Sequence, residues 1–132
     1  MMKYYLFIIL FVCMVAGCGN GQVPLKGKVV FSDDGSPVSL GKVVLSTATF
    51  QSRGDLNDKG EFLMESLRPG DGLPPGNYKV SIVGAIDYGM SGGYSLIDPK
   101  WSNPETSGMT IDVDKKTKFL EIKVDRNPQP KK

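Results

Sequence analysis

The sequence predicts an all-β protein, a seven-stranded antiparallel β-sandwich, behind a short apolar leader. Three observations carry that expectation. From residue 23 onward, short runs alternate apolar and polar side chains with the period of two that marks a half-buried strand. Clusters of Gly, Pro, Asn and Asp separate these runs at the spacing of turns. No segment after residue 22 carries the apolar stripe of a four-turn helix.

Taken in order, Leu25–Ser32 reads as the first strand, stopped by Asp33-Asp34-Gly35-Ser36-Pro37. Gly41–Ala48 is the second, with Val43 and Leu45 on one face, and Phe50–Leu56 is a weaker third. Asn57-Asp58-Lys59-Gly60 makes a tight turn into Glu61–Ser66, where Phe62 and Met64 share a face. Gly60 supplies the positive φ that such a turn needs. After the Pro/Gly loop Arg68–Gly76 comes Asn77–Gly84, with Tyr78, Val80 and Ile82 on one side and Lys79 and Ser81 on the other. Met109–Val113 and Phe119–Val124 close the set, joined by the charged turn Asp114-Lys115-Lys116-Thr117. The expected core is Val29, Val43, Leu45, Phe62, Tyr78, Val80, Ile82, Ile111, Leu120 and Ile122. Residues 127–132 form a polar, proline-bearing tail expected to fray.

The leader is a different kind of segment. Lys3 precedes an uncharged run from Leu6 to Ala16, followed by Gly17 and Cys18. Eleven apolar residues of helix would span about 16 Å, short of the roughly 30 Å of a bilayer core, so the run suits a signal peptide. Its end, Val15-Ala16-Gly17-Cys18, resembles the lipobox of bacterial lipoproteins: an aliphatic residue, two small ones, then cysteine. The resemblance implies cleavage before Cys18 and acylation of that residue. Residues 1–17 would then be the signal peptide, 18–22 a flexible lipidated tether, 23–126 the domain and 127–132 the tail. An exported, lipid-anchored protein follows, with the membrane as its partner through Cys18. No Asp follows Cys18, so nothing resembles an inner-membrane retention signal, and the residues leave either bacterial membrane open.

Composition narrows the chemistry. The 132 residues carry 16 basic and 14 acidic side chains, a balance that is no footprint for nucleic acid or for a polybasic membrane patch. Removal of 17 leader residues from 132 leaves 115, enough for one domain with its own core. Both cysteines, Cys13 and Cys18, lie in the leader region, so the domain has no disulfide of its own. There is no histidine, which removes the commonest general base and every histidine-based metal site. Nothing calls for a cofactor, and the chain is expected not to be an enzyme.

Two longer patterns carry a family resemblance. Asp58-Lys59-Gly60-Glu61-Phe62 and Leu73-Pro74-Pro75-Gly76-Asn77-Tyr78-Lys79-Val80 resemble the signature of carboxypeptidase regulatory-like domains, which are transthyretin-like seven-stranded sandwiches. Lys26-Gly27-Lys28-Val29-Val30 and Gly35-Ser36-Pro37-Val38 fit the first hairpin of that pattern. The stretch Pro99-Lys100-Trp101-Ser102-Asn103-Pro104-Glu105-Thr106-Ser107-Gly108-Met109-Thr110 is similar to the tail of small lipoproteins of Planctomycetes. The resemblance implies a fold and a surface location, with structural, spacing or adhesive work and no reaction.

Several shorter patterns invite a chemical reading. Asp55-Leu56-Asn57-Asp58-Lys59-Gly60 has the first spacing of a calcium loop, but Lys59 puts a cation where a ligand belongs, and the final acid would fall at Ser66. A hairpin turn accounts for the same residues. Arg53-Gly54-Asp55 spells an integrin-type tripeptide inside an expected strand, and Arg68–Gly72 lacks the lysine and helix of a phosphate cradle.

The segment 85–107 is the candidate functional loop, longer than the roughly 12–15 residues usual for structureless connections. It holds Tyr88, Tyr94 and Trp101 among Asp87, Asp98, Asn103 and Glu105. Aromatic faces beside carboxylates can bind sugar rings, which makes an envelope polysaccharide or a peptide or protein the alternative partner. The bland reading, which we favour, has Trp101 plugging the open end of the sandwich. A glycosidase would need two of Asp71, Asp87, Asp98 and Glu105 facing one another, and no spacing imposes that.

Overall fold

Alternation along the strands decides which side chains go inside, and the register between strands stacks them into layers. The computed structural model describes residues 22–66, 71–90 and 92–129. Among these residues the strands are β1 (Lys26–Phe31), β2 (Lys42–Ser46), β3 (Gln51–Asp55), β4 (Glu61–Leu63), β5 (Gly76–Val83), β6 (Ile86–Gly89), β7 (Gly92–Ser95), β8 (Thr110–Val113) and β9 (Phe119–Val124). A 3₁₀ turn (Pro99–Ser102) and a one-turn helix α1 (Pro104–Ser107) lie between β7 and β8.

Seven of these strands build the sandwich. One sheet has the order β4-β1-β9 and the other β3-β2-β5-β8. The two sheets are joined along one side by a bridge between Arg53 and Glu65, whose N–H groups donate to each other's carbonyls at 3.0 and 2.8 Å. The remaining pair, β6 and β7, is a separate ribbon thrown out between β5 and β8. All seven sequence-predicted strands are present: β9 has its expected bounds, β5 is shifted by one residue, and the other five are shorter by one to three residues.

One pairing departs from the fully antiparallel expectation. β1 and β9 run parallel, Lys26 opposite Phe119 through to Phe31 opposite Val124. First and last strands of a chain have no short connection to force them antiparallel, and parallel neighbours need a long crossover. Here the whole intervening domain is that crossover.

Inward rows follow from the register. On one sheet Gly27 lies opposite both Phe62 and Leu120, and on the other Ile82 lies opposite Val43, and Val80 opposite Leu45. A Cβ at Gly27 would run into the Leu120 carbonyl oxygen and the Phe62 ring, so the glycine lets Phe62 cross β1. Ser52 is buried with Ser81 and Ser107 among otherwise apolar core residues; its hydroxyl donates to the Glu65 carbonyl at 2.9 Å.

Eight of the ten expected core residues are buried. Ile111 and Leu120 are only half-buried and pack against the margin of the core. They sit on β8 and β9, each at an edge of its sheet, although Val113, Ile122 and Val124 on the same strands are buried, so edge position alone does not set their exposure. Leu25, Val38, Met64, Leu73 and Val124 are buried as well, at turns and strand ends.

Gly60 takes φ 73°, as the turn after Asn57 requires. The Asn57 side chain accepts the N–H groups of Lys59 and Glu61, both at 2.9 Å. Its oxygen is spent on the turn, which accounts for the calcium-like spacing. Arg53-Gly54-Asp55 lies within β3, and Arg68 to Gly70 lie outside the described residues.

Candidate functional site

The segment from Ala85 to Gly108 is ordered by its own sequence. β6 and β7 pair in the register Ile86–Ser95, Asp87–Tyr94, Tyr88–Gly93 and Gly89–Gly92. The Leu96 N–H donates to the Ala85 carbonyl at 2.9 Å and closes the base of the ribbon.

Two Asx-Pro turns follow in tandem. Asp98 caps the 3₁₀ turn by accepting the Lys100 N–H at 3.0 Å, with Pro99 in the first turn. Asn103 repeats the arrangement for α1, accepting the Glu105 N–H at 2.8 Å ahead of Pro104. Proline suits the first helical position because its missing N–H would be unpaired there anyway. The Thr106 hydroxyl donates to the Lys100 carbonyl at 2.6 Å and ties the turns together. Gly108 ends α1 at φ 73°. The Pro99–Thr110 stretch is therefore a folding motif whose polar atoms serve each other.

Its product is the position of Trp101, which is 5% exposed and belongs to the central core cluster together with Ile82, Ala85 and Ile97. The expectation of a plug is met, with one detail the sequence hid: the buried indole Nε1 finds no acceptor among the described residues. Lys100 crosses outside, its Nζ 5.6 Å from the ring centre and 3.0 Å from an Asp125 carboxylate oxygen. Met90 is fully exposed at the ribbon tip.

Tyr88, Tyr94 and Trp101 are not brought together as one binding surface. Directly opposed residues on a ribbon share a face, so Tyr88 lies with Gly93 and Tyr94 lies with Asp87 on the other face. The Tyr88 ring lies across Gly93, where a Cβ would meet it at 3.1 Å, and the residue is 78% exposed. The Tyr94 hydroxyl donates to the Gln129 carbonyl at 2.9 Å. This correction has a plain cause: period-two alternation separates positions 88 and 94 once the chain reverses between them.

Tyr94 instead helps to hold the C-terminal segment. The Asn127 side chain donates to the Ser95 carbonyl at 2.9 Å, and its backbone N–H to the Leu96 carbonyl at 3.2 Å. Residues 127–129 are thus fastened to β7 where fraying was expected.

The candidate carboxylates are likewise engaged locally. Asp71 accepts the Ser66 N–H at 2.7 Å, Asp98 caps its turn, and Glu105 takes Lys79 through both oxygens at 2.9 Å. A cleft of about 200 Å³ opens beside the ribbon base, lined by Ile82, Ala85, Ile97 and Pro99. Its polar lining, Ser95, Asp98 and Ser102, donates or accepts within the loop. Among the described residues lining this cleft, no nucleophile is paired with a base. Cys18 lies outside the described residues, as do residues 1–17.

Acidic groups on the far side of β1 form a second cluster that sequence reading missed. Arg126 donates to Asp33 at 2.7 Å and to Asp34 at 3.0 Å, with its guanidinium 3.8 Å from the Phe31 ring centre. The residues lie more than ninety positions apart, so no local spacing could announce them. The Ser36 hydroxyl and N–H, with Arg126 behind them, hold the Asp34 carboxyl down to about 2. Asp125 is lowered by Lys100 and then by Ser32. A carboxylate with a depressed pKa adds stability above its unfolded value, near 3.9, and loses it as pH falls through the folded value. The melting temperature should therefore drop between about pH 4 and pH 2. Asp34→Asn should make that drop shallower in a calorimetric pH series; an unchanged slope would remove Asp34 from the account.

Comparisons with known proteins add little. No family model matches the sequence, and no curated protein matches it. Among solved structures, the major pilin subunit of Bacillus cereus has a TM-score of 0.49 and 11% identity, covering 80% of this chain and 30% of that one. What the chain's own geometry shows is an all-β sandwich with one long connection folded into a ribbon and a capped plug.

Proposed function

We propose that the chain is a lipid-anchored β-sandwich of the cell envelope, carboxypeptidase regulatory-like in type, acting as a structural or interaction module without catalysis. The observation that carries this reading is Val15-Ala16-Gly17-Cys18 at the end of an uncharged run, five residues before the sandwich begins at Val23. An anchor so close to a folded domain fits a module held against its membrane. Two or more acyl chains hold stably, at about 0.8 kcal/mol per buried CH₂. The seven strands of the two sheets suit the family resemblance, and the local engagement of the polar groups in 85–107 favours a structural part for that segment over a sugar-binding one.

Intact mass of the membrane-extracted protein should equal residues 18–132 plus lipid, and Cys18→Ser should leave the membrane fraction. A Cys18→Ser protein still held in membranes, or a native product released without detergent, would sink the anchor.

A further inference from the structure

One end of the sandwich combines three features that the proposed function does not use. Where the chain enters the domain, Val23 pairs with Leu73, and beside this bridge a cleft of about 300 Å³ opens on the surface. Pro24, Leu63 and the stem of Lys26 line one side, and the β8–β9 turn, with Lys115, Thr117 and Lys118, lines the other. Its walls are mostly apolar and the charged side chains among its described lining residues are all lysines; Asp114, the acid next in sequence to Lys115, is engaged by Thr117 and by the Lys116 N–H. None of the three lysines is ion-paired among the described residues, whereas Lys42, Lys79 and Lys100 are.

The adjoining outer face of the β4-β1-β9 sheet carries the same character for one row only. Register places Leu63, Lys26 and Phe119 side by side at the chain-entry end, with Leu63 45% and Phe119 55% exposed. One row further from that end stand Glu61, Lys28 and Glu121. The exposed side chains therefore change from apolar and cationic to predominantly acidic over two residues, about 7 Å along the strands. A face that is apolar and cationic at its rim and acidic behind it matches a surface that is negative outside and apolar within.

Reach supplies the occupant. Five residue steps separate Cys18 from Val23, so a fully extended chain puts at most about 18 Å between them. With Cys18 lipidated, the lysine rim stays within about two Debye lengths of the headgroups. We propose that this cleft and rim are a docking face for an anionic lipid bilayer. Lys26, Lys115 and Lys118 meet headgroup phosphates, and Leu63 and Phe119 enter the interfacial layer. The proposal rests on the anchor reading for its geometry. It sets the domain's orientation: the ribbon tip with Tyr88 and Met90, at the far end of β5, faces away from the membrane.

Lysine footprinting tests it on the full mature protein. The protein is mixed with vesicles of phosphatidylglycerol and phosphatidylcholine, or of phosphatidylcholine alone, and acetylated with a water-soluble reagent. Site-resolved mass spectrometry then reads each lysine. On the anionic vesicles Lys26, Lys115 and Lys118 should react several-fold more slowly than on the zwitterionic ones, with Lys42 and Lys123 unchanged, and raised salt should erase the difference. Phe119→Trp should shift its emission to the blue on the anionic vesicles alone. Intact mass from the same samples reports the lipid separately. Protection without lipid keeps the docking face and removes only the anchor. Equal reactivity on both vesicles, lipidated or not, overturns the proposal, as does equal protection by soluble polyglutamate.

Discussion

Trp101→Ala should destabilise the domain by about 3–5 kcal/mol, the usual cost of truncating a buried large aromatic. The residue is 5% exposed, and its ring joins the 3₁₀ turn to the core beneath β5. Two prolines and two Asx caps fix the backbone on either side, so the loop cannot collapse into the space that the ring leaves. Tryptophan emission should be blue-shifted in the native protein and move red on unfolding. Trp101→Phe sharpens the test. It keeps much of the apolar ring and deletes a buried N–H that has no acceptor among the described residues, a group that costs about 1–3 kcal/mol when unsatisfied. The Phe variant should therefore lose far less than the Ala variant in chemical denaturation. Equal losses would mean that the indole N–H carries the stability. A neutral Ala variant with red-shifted native emission would return Trp101 to the surface and revive a sugar-binding face.

The sandwich strands were legible where burial alternates, as in β3 and β9, while β1, β2 and β5 bury consecutive residues and were marked by their apolar runs and bounding turns. The same rule explains where reading stopped. Ile111 and Leu120 alternate as well as Ile82 does, but alternation reports a face and not how deeply each position on that face is covered. The parallel pairing of β1 with β9 leaves no mark on either strand. The ribbon β6–β7 was read as loop because Gly89, Gly92 and Gly93 break the pattern and neither strand buries a face. In the candidate site, Trp101 as a plug followed from size and apolarity. The tandem Asx-Pro turns that place it were visible as letters, Asp98-Pro99 and Asn103-Pro104, and their meaning emerged only with the caps. Three aromatic residues within one segment suggested a common surface, yet local pairing decided otherwise, and sequence proximity carried no information about face.

Ile82→Ala is the prediction that weighs centre against edge. Ile82 is 1% exposed on β5, an inner strand of the four-stranded sheet, with Val43 of β2 directly opposite. Truncation of a fully buried aliphatic side chain costs about 2–5 kcal/mol, the lost transfer energy plus the cavity that remains. The upper part of that range is expected, because neighbours on an inner strand are held by pairing on both sides and relax little into the gap. Ile111→Ala removes the same atoms from β8, an edge strand, where the side chain is half-buried and solvent already reaches it. Less area leaves water there, so the loss should be distinctly smaller. Urea denaturation of both variants measures the pair, provided the slope with denaturant stays constant, which shows that neither change alters the surface exposed on unfolding. A larger loss at Ile111 than at Ile82 would invert the order of strands, placing β8 inside the sheet and β5 at its margin.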